Sequence, residues 1–402
     1  MIDDNADSDQ TKTRSVPRLF RQSESKSVND EVAARSVPTK RRYKALFITI
    51  VPSPYQRDLF DALAAREDVD LRVCYMEASS PDSPWPDKQL RPFERVMPGF
   101  WLPFGGARGH VNWGLPDAST ADVVVLSSFT SLTGQWLMRG GLRGKRWLFW
   151  GERLRRNCGM KEVVQRHLAA PILYSSGIVG IGRAAEDDYH RRFPNLPHYC
   201  VPYHCDVSAF FAITRSRGFR DPVTFLFCGQ MIHRKGVDLL LSAFERLVAA
   251  EVDARLLLVG REAELPHFMK VVSPAVRSKI HYEGFQPPER LPEYFARSDV
   301  FVLPSRHDGW GVVINQALAA GLPIITSDAV GAGLDFVENG VNGMRFSASD
   351  GDALYGAMEM LALNPVTARQ WGQNCRNKAC GLTPEVGAEK WVQVFDSLFA
   401  AR

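Results

Sequence analysis

From residue 44 onward the chain alternates two apolar patterns. ALFITIV (45–51) is a continuous apolar run, as a strand buried on both faces requires. RDLFDALAA (57–65) then spaces its apolar positions along one face of a helix. Further strands are predicted at LRVCYME, ADVVVLSS, KRWLFWGE, GIVGIG and the short HYCVPYH, with helices at LTGQWLMRGGLRG and RAAEDDYHRRF. The alternation restarts at VTFLFCGQ and the amphipathic GVDLLLSAFERLVAA. It continues through ARLLLVG, KIHYEGF, the helix PPERLPEYFARS, DVFVLPS and NGMRF, and closes on two helical segments. Two successive strand–helix runs imply an α/β chain of two doubly wound, Rossmann-like domains. Such sheets bind ligands beyond the carboxyl ends of their strands, so two of them facing each other make a cleft. Residues 80–116, crowded with Pro, Gly and aromatic side chains, read as irregular. Residues 1–43 are polar and charged, repeat RSVP at 14–17 and 35–38, and read as a disordered tail.

Composition adds limits. A 402-residue chain that is 45% hydrophobic is long enough for two cores. A net charge of +4 is too mild for the basic stripe of a nucleic-acid binder. The seven cysteines (74, 158, 200, 205, 228, 375, 380) form no CxxC and no zinc spacing, as in a protein with reduced thiols. The acidic, polar N-terminus is unlike a signal peptide, and no apolar run nears the roughly 18 residues of a spanning helix. A cytoplasmic protein is expected, with any membrane association peripheral.

Two stretches carry candidate chemistry. In SRHDGWGVVINQALAAGLPII (305–325), directly after DVFVLPS, Gly309 and Gly311 allow a sharp turn and a close approach of ligand to backbone. A helix opening near Trp310–Ile314 would aim its free N–H groups at the cleft, and Gln316 would reach back toward the pocket that Asp308 lines. A carboxylate and an amide so placed suit the paired hydroxyls of a sugar or ribose. The plainer alternative is an N-capping Asp308 with Gln316 on the surface. In FCGQMIHRKGVDLLLSAF, Lys235 stands just before a helix, where it suits a diphosphate. A solvated lysine in a turn is its plainer alternative.

Order and spacing together resemble the retaining glycosyltransferases of family 4, which have the GT-B fold. The resemblance rests on GQMIHRKGVDLLL from 229, LLLVG at 256–260, YEGF at 282–285, DVFVLPS, the 305–325 stretch and VGAGLDFVENGVNG at 330–343. It runs strongly over about 225–346 and more loosely through the PSPYQ loop and VPYHCDVSAF (201–210), where Asp206 matches the family's aspartate. It implies an N-terminal acceptor domain over 44–205 and a nucleotide-sugar domain over 206–384. A C-terminal helix, 385–402, would cross back. The implied donor-binding set is Gly229, Gln230, Lys235, Arg261, Phe285, Asp308, Trp310, Gly311, Val312 and Gln316. Lys235 neutralises the leaving diphosphate, Asp308 touches the donor sugar and Gln316 holds the ribose, so Lys235 and Asp308 are the implied catalytic pair. No metal and no cofactor beyond the nucleotide sugar is implied.

The departures matter. Gln230 stands where the family has an arginine, Asp308 is one methylene short of glutamate, and Gln316 replaces a glutamate. Arg261, or else Arg234, is the expected replacement charge. On the acceptor side the expected residues are Tyr55, Gln56 and Glu152. Glu152 takes the place where many relatives carry a histidine, unless it simply pairs with Arg153, Arg155 or Arg156. The expected activity is transfer of a hexose from a UDP- or GDP-linked sugar to a saccharide or polyprenol-linked acceptor in surface-polysaccharide or lipopolysaccharide assembly. A catalytically weak sugar- or nucleotide-binding scaffold is the alternative. Gly180-Ile181-Gly182-Arg183-Ala184-Ala185 also fits a dinucleotide fingerprint and raises an NAD(P)-dependent oxidoreductase as a minor alternative, although no acid follows at the right place. Finally, 139–166 holds nine basic and two acidic residues together with Trp147, Phe149 and Trp150. A basic aromatic surface of this kind suits an anionic membrane; an ordinary solvated face, with some of these residues in the core strand, is the alternative.

Overall fold

The continuous apolar runs become the central strands of two parallel sheets. The computed structural model describes residues 41–79, 89–104, 107–114, 116–155, 157–214 and 222–400. The RSVP repeats and Arg156 lie outside them. The first half contains β1 (Tyr43–Thr49), α1 (Pro54–Ala64), β2 (Val69–Tyr75), β3 (Glu94–Val96), β4 (Gly99–Phe104), β5 (Ala107–Asn112), β6 (Val123–Leu126), α2 (Leu132–Trp136), β7 (Trp147–Gly151), α3 (Met160–Ala169), β8 (Gly177–Gly180), α4 (Arg183–Arg192), β9 (His198–Cys200) and α5 (Ser208–Phe211). The second half contains β10 (Val223–Cys228), α6 (Val237–Ala249), β11 (Ala254–Val259), α7 (Leu265–Phe268), α8 (Pro274–Arg277), β12 (Ile280–Tyr282), α9 (Leu291–Ala296), β13 (Val300–Leu303), α10 (Val313–Ala320), β14 (Ile324–Ser327), α11 (Gly331–Phe336), β15 (Gly343–Phe346), α12 (Gly351–Leu363), α13 (Pro365–Ala379) and α14 (Pro384–Ala400).

The sheet orders are β3-β2-β1-β6-β7-β8-β9 and β12-β11-β10-β13-β14-β15, with a separate β4–β5 pair. In each large sheet the winding reverses beside its first strand, between β1 and β6 and between β10 and β13. Loops leaving the carboxyl ends of these strands diverge there and open a crevice. Tyr55 and Gln56 follow β1, Lys235 follows β10 and Asp308 follows β13, so the topology alone carries them to the two crevices.

The last helix, α14, joins the first sheet. Trp391, fully buried, meets Phe47 edge-on at 5.0 Å and Trp150 at 5.5 Å. Gly387 sits against His204 and Leu59, and Arg66 of the first half pairs with Glu389 at 2.8 Å.

Two expectations are corrected. The stretch read as irregular contains β3 and an antiparallel hairpin, β4 with β5, registered Gly99↔Asn112 through Phe104↔Ala107. Its pattern was illegible because Phe100, Trp101 and Leu102 are all exposed, so no buried–exposed alternation marks the strand. Trp147, Phe149 and Trp150 belong to β7, are at most 2% exposed, and form core rather than surface. No helix among the described residues is long and apolar enough to cross a membrane.

Candidate functional site

The loop after β10 is shaped by glycine. A Cβ on Gly260 would lie 1.9 Å from the Gly229 carbonyl oxygen, so the loops after β10 and β11 touch backbone to backbone. The chain turns through His233–Lys235 and is released by Gly236 at φ +73°, a left-handed conformation that other residues resist. A Cβ there would lie 2.0 Å from the Pro304 carbonyl oxygen, so the loop lies pressed on the end of β13. Side chains stitch the contact. Arg306 donates to both carboxylate oxygens of Asp238 at 2.7 Å, and its N–H donates to the Arg234 carbonyl at 2.8 Å. Arg234 donates to the His307 carbonyl at 3.0 Å.

These contacts bring Lys235 and Asp308, 73 positions apart, into an ion pair in which the ammonium donates to Asp308 Oδ2. Both side chains are mostly buried. The Asp308 N–H donates to the Ala329 carbonyl at 3.0 Å, fixing the acid from behind. Trp310 is buried. Its ring is 1% exposed and stands edge-on to Phe336 at 5.4 Å and to Tyr203 at 6.3 Å. Gly311, at φ +84°, turns the chain into α10 through Val312. On α10 only Val313 and Gln316 are partly open; the other six positions are buried. Gln316 is thus on the helix's open face, one turn beyond its start.

Three neighbouring loops carry the rest of the implied donor set. Gln230 is half-buried next to Gly229. The Arg261 carbonyl accepts the Met231 N–H at 2.9 Å, and the Gly284 carbonyl accepts the Gly260 N–H at 2.8 Å, which places exposed Phe285 beside the same glycine floor. Gly229, Gln230, Arg261 and Phe285 therefore line one end, with Lys235 and Asp308 farther along.

The opposite wall comes from the first sheet. Gln56 donates to the Tyr203 hydroxyl at 3.2 Å, and Tyr203 donates to the Glu152 carboxylate. The Tyr55 ring lies 5.0 Å from that of Tyr203. Glu152 reaches across the cleft to Gly309, where a Cβ would lie 1.9 Å from its Oε2 and 2.9 Å from its Cβ. Only glycine leaves room for the acid at that point. Glu152 meets solvent through the cleft mouth while both walls enclose it. That enclosure, reinforced by the negative Asp308 and opposed by Lys235 and Arg234, pushes its carboxyl up to about 7. The pairing of Glu152 with Arg153 does not form. Arg153 instead faces Asp188 at 3.7 Å and donates to the Asp328 carbonyl at 3.2 Å.

The dinucleotide fingerprint is likewise corrected. The first N–H of α4, at Arg183, donates to Asp335 Oδ2 at 2.9 Å, and a Cβ on Gly182 would lie 2.3 Å from the Trp310 ring. The place where a pyrophosphate would sit is filled by the second domain, and the glycines serve that domain contact. Among the described residues no three His, Cys, Asp or Glu side chains group to hold a metal ion.

Tyr203 and Gly309 were not among the expected site residues. Tyr203 lies in VPYH, where the chain crosses from one sheet to the other, and a residue at such a crossing touches both walls. Gly309 was noted only for its turn; its role as a socket for Glu152 is purely spatial.

Residues 222–364 match the family model described as Glycosyl transferases group 1. The chain is 30% identical over 205 residues to the lipopolysaccharide core biosynthesis mannosyltransferase LpcC of Rhizobium leguminosarum, covering 47% of this chain and 56% of that one. It is 31% identical over 146 residues to the mannosylfructose-phosphate synthase of Agrobacterium fabrum, covering 32% of each. The matched stretches thus span about a third to a half of these relatives' own length. Among solved structures, sucrose-phosphate synthase from Thermosynechococcus elongatus superposes with TM-score 0.69 at 19% identity, covering 90% of this chain and all of that one. HepE of Anabaena, solved in complex with UDP, superposes with TM-score 0.67 at 14% identity, covering 88% of this chain and all of that one. The chain therefore has the GT-B fold, and residues 222–364 are the part that matches the glycosyl transferases group 1 family.

Proposed function

We propose that the protein is a retaining, metal-independent glycosyltransferase. It moves a hexose from a UDP- or GDP-linked donor to a saccharide or polyprenol-linked saccharide on the cytoplasmic side, in surface-polysaccharide or lipopolysaccharide assembly. The observation that carries this reading is the Lys235–Asp308 pair at the β10–β13 crevice, faced across the cleft by Glu152. The UDP complex of HepE and the mannosyltransferase relatives support the donor class.

The geometry suits the chemistry. A departing nucleoside diphosphate gathers negative charge, which the Lys235 ammonium and the first turn of α10 stabilise. The sugar left behind gathers positive charge between the carboxylates of Asp308 and Glu152. Gln316 holds ribose hydroxyls without the charge assistance of a glutamate. The incoming hydroxyl attacks on the face the leaving group departs from, and the leaving phosphate takes its proton. Tyr55, Gln56 and Glu152 orient the acceptor.

One observation favours a weaker scaffold reading: Lys235 is already committed to Asp308, and Gln230 supplies no charge in compensation. Transfer from UDP- and GDP-hexoses by the purified protein separates the two. Lys235→Ala is expected to lower turnover by about 10²–10³-fold. A protein that is stabilised thermally by a nucleotide yet transfers nothing across a broad acceptor panel would be the scaffold.

A further inference from the structure

We propose that Tyr203 is a positioning residue: its hydroxyl holds the Glu152 carboxylate against Gly309, while its main chain is tied to the helix that carries Gln316. The consequence for turnover rests on the glycosyl-transfer reading; the hold itself does not.

The direction of the hydroxyl follows from its neighbours. Tyr203 is 4% exposed, and a hydroxyl so buried costs free energy unless it is bonded. Thr49, at the end of β1, donates to Gln56 Oε1 at 3.4 Å, which turns the amide nitrogen of Gln56 toward Tyr203. That nitrogen donates to the Tyr203 oxygen at 3.2 Å. The hydroxyl then has one proton to give, and it gives it to the Glu152 carboxylate. Packing does not require the hydroxyl. The ring stands edge-on to Tyr55 at 5.0 Å, to Trp150 at 5.7 Å and to Trp310 at 6.3 Å, and a phenylalanine ring would make the same contacts.

The main chain of Tyr203 is fixed from the other wall. Asn315 of α10, fully buried, donates to the Tyr203 carbonyl at 2.9 Å and accepts the Trp310 Nε1–H at 3.2 Å. Gln316 follows Asn315 on the same helix, and Gly309, the socket for Glu152, precedes Trp310. One residue therefore sets the acid of the first sheet in register with the donor-side helix of the second.

The titratable and charged groups that face Glu152 are Tyr55, Tyr189, Tyr203, Asp308, Lys235 and Arg234. Burial first, and the negative Glu152 second, push all three phenols well above their ordinary value, so they stay protonated at neutral pH. The Tyr203 bond favours the charged carboxylate and opposes the upward push of enclosure and Asp308. Its loss raises the carboxyl further.

Tyr203→Phe tests this in two ways. In the full chain carrying 13C at its glutamate carboxyls, Glu152 is the resonance missing from Glu152→Gln. Its titration midpoint, about 7 in wild type, should rise by about one unit in Tyr203→Phe. In transfer assays the acid limb of kcat/KM should move up by the same amount, and kcat/KM at pH 7 should fall at least about fivefold with the KM for the nucleotide sugar nearly unchanged. In a Glu152→Gln background the same substitution should cost less than about twofold, because its effect passes through the acid. Gln56→Met removes the donor that aims the hydroxyl and should move the midpoint in the same direction; it serves where Tyr203→Phe melts below the assay temperature. A midpoint that stays in place in either folded variant, or an equal loss of kcat/KM in both backgrounds, would overturn the assignment. A moved midpoint in a protein that transfers nothing would end the transfer reading and uphold the hold on Glu152.

Discussion

Glu152→Gln is the sharpest test of the cleft. The substitution keeps shape and removes charge. The carboxyl is pushed up to about 7 by its enclosure and by Asp308. It is therefore roughly 10% ionised one pH unit below that value and roughly 90% one unit above. If the carboxylate stabilises the positively charged sugar and orients the acceptor, kcat/KM rises with pH through about 7, falling about tenfold per unit on the acid side. Glu152→Gln should flatten that limb and lower kcat/KM at pH 8 by about 10², or about 2.7 kcal/mol of transition-state stabilisation. The assay is initial-rate transfer across pH 5.5–9, about one and a half to two units either side of the shifted value. Stability supplies the control. The folded carboxyl binds its proton more tightly than the unfolded one, whose ordinary value is 4.5. Its contribution is therefore present below that value and lost as pH rises through the window to about 7. Glu152→Gln should then melt no lower than wild type at neutral pH. A variant with full activity, or one that keeps the same acid limb, would refute the role.

Three further outcomes are expected. Gly236→Ala should cost at least about 1–2 kcal/mol in urea unfolding, because the left-handed backbone resists a side chain and the Pro304 carbonyl blocks it; donor binding should weaken as Lys235 is displaced. Arg57→Ala should destabilise by about 3–5 kcal/mol, seen as a lower Tm, because it takes from the buried Glu94 carboxylate the cation that contacts it at 2.8 and 3.0 Å, and the remaining donors, the Tyr75 hydroxyl and the Arg91 N–H, carry no charge. Trp391→Ala should cost about 3–5 kcal/mol and loosen α14 from the first sheet, read as faster amide exchange in both α14 and α1.

Much of the fold was legible because buried parallel strands are written as unbroken apolar runs. VTFLFC, ARLLLV and DVFVLPS lie where their sequences put them, and the restart at residue 223 marks the second sheet. Lys235 and Asp308 were legible because each closely follows a strand that flanks a switch point, so local sequence order already assigns its place. The hairpin was not legible. On β4 three successive side chains, Phe100, Trp101 and Leu102, are exposed, so its strand hydrogen bonds leave no buried–exposed alternation to read.

The sequence by itself determined the two-sheet architecture and which loops leave the strands' carboxyl ends at the switch points, since both follow from short-range periodicity and strand order. Only the tertiary structure decided what crosses the cleft. Glu152 stands 157 positions from Gly309, and the two meet because one lacks the atoms the other needs room for. The same holds for the fingerprint glycines, which pack on Trp310 and Asp335 rather than on a nucleotide. Complementary shape between distant segments leaves no periodic trace along a chain, and in this protein it brings Glu152 against Gly309.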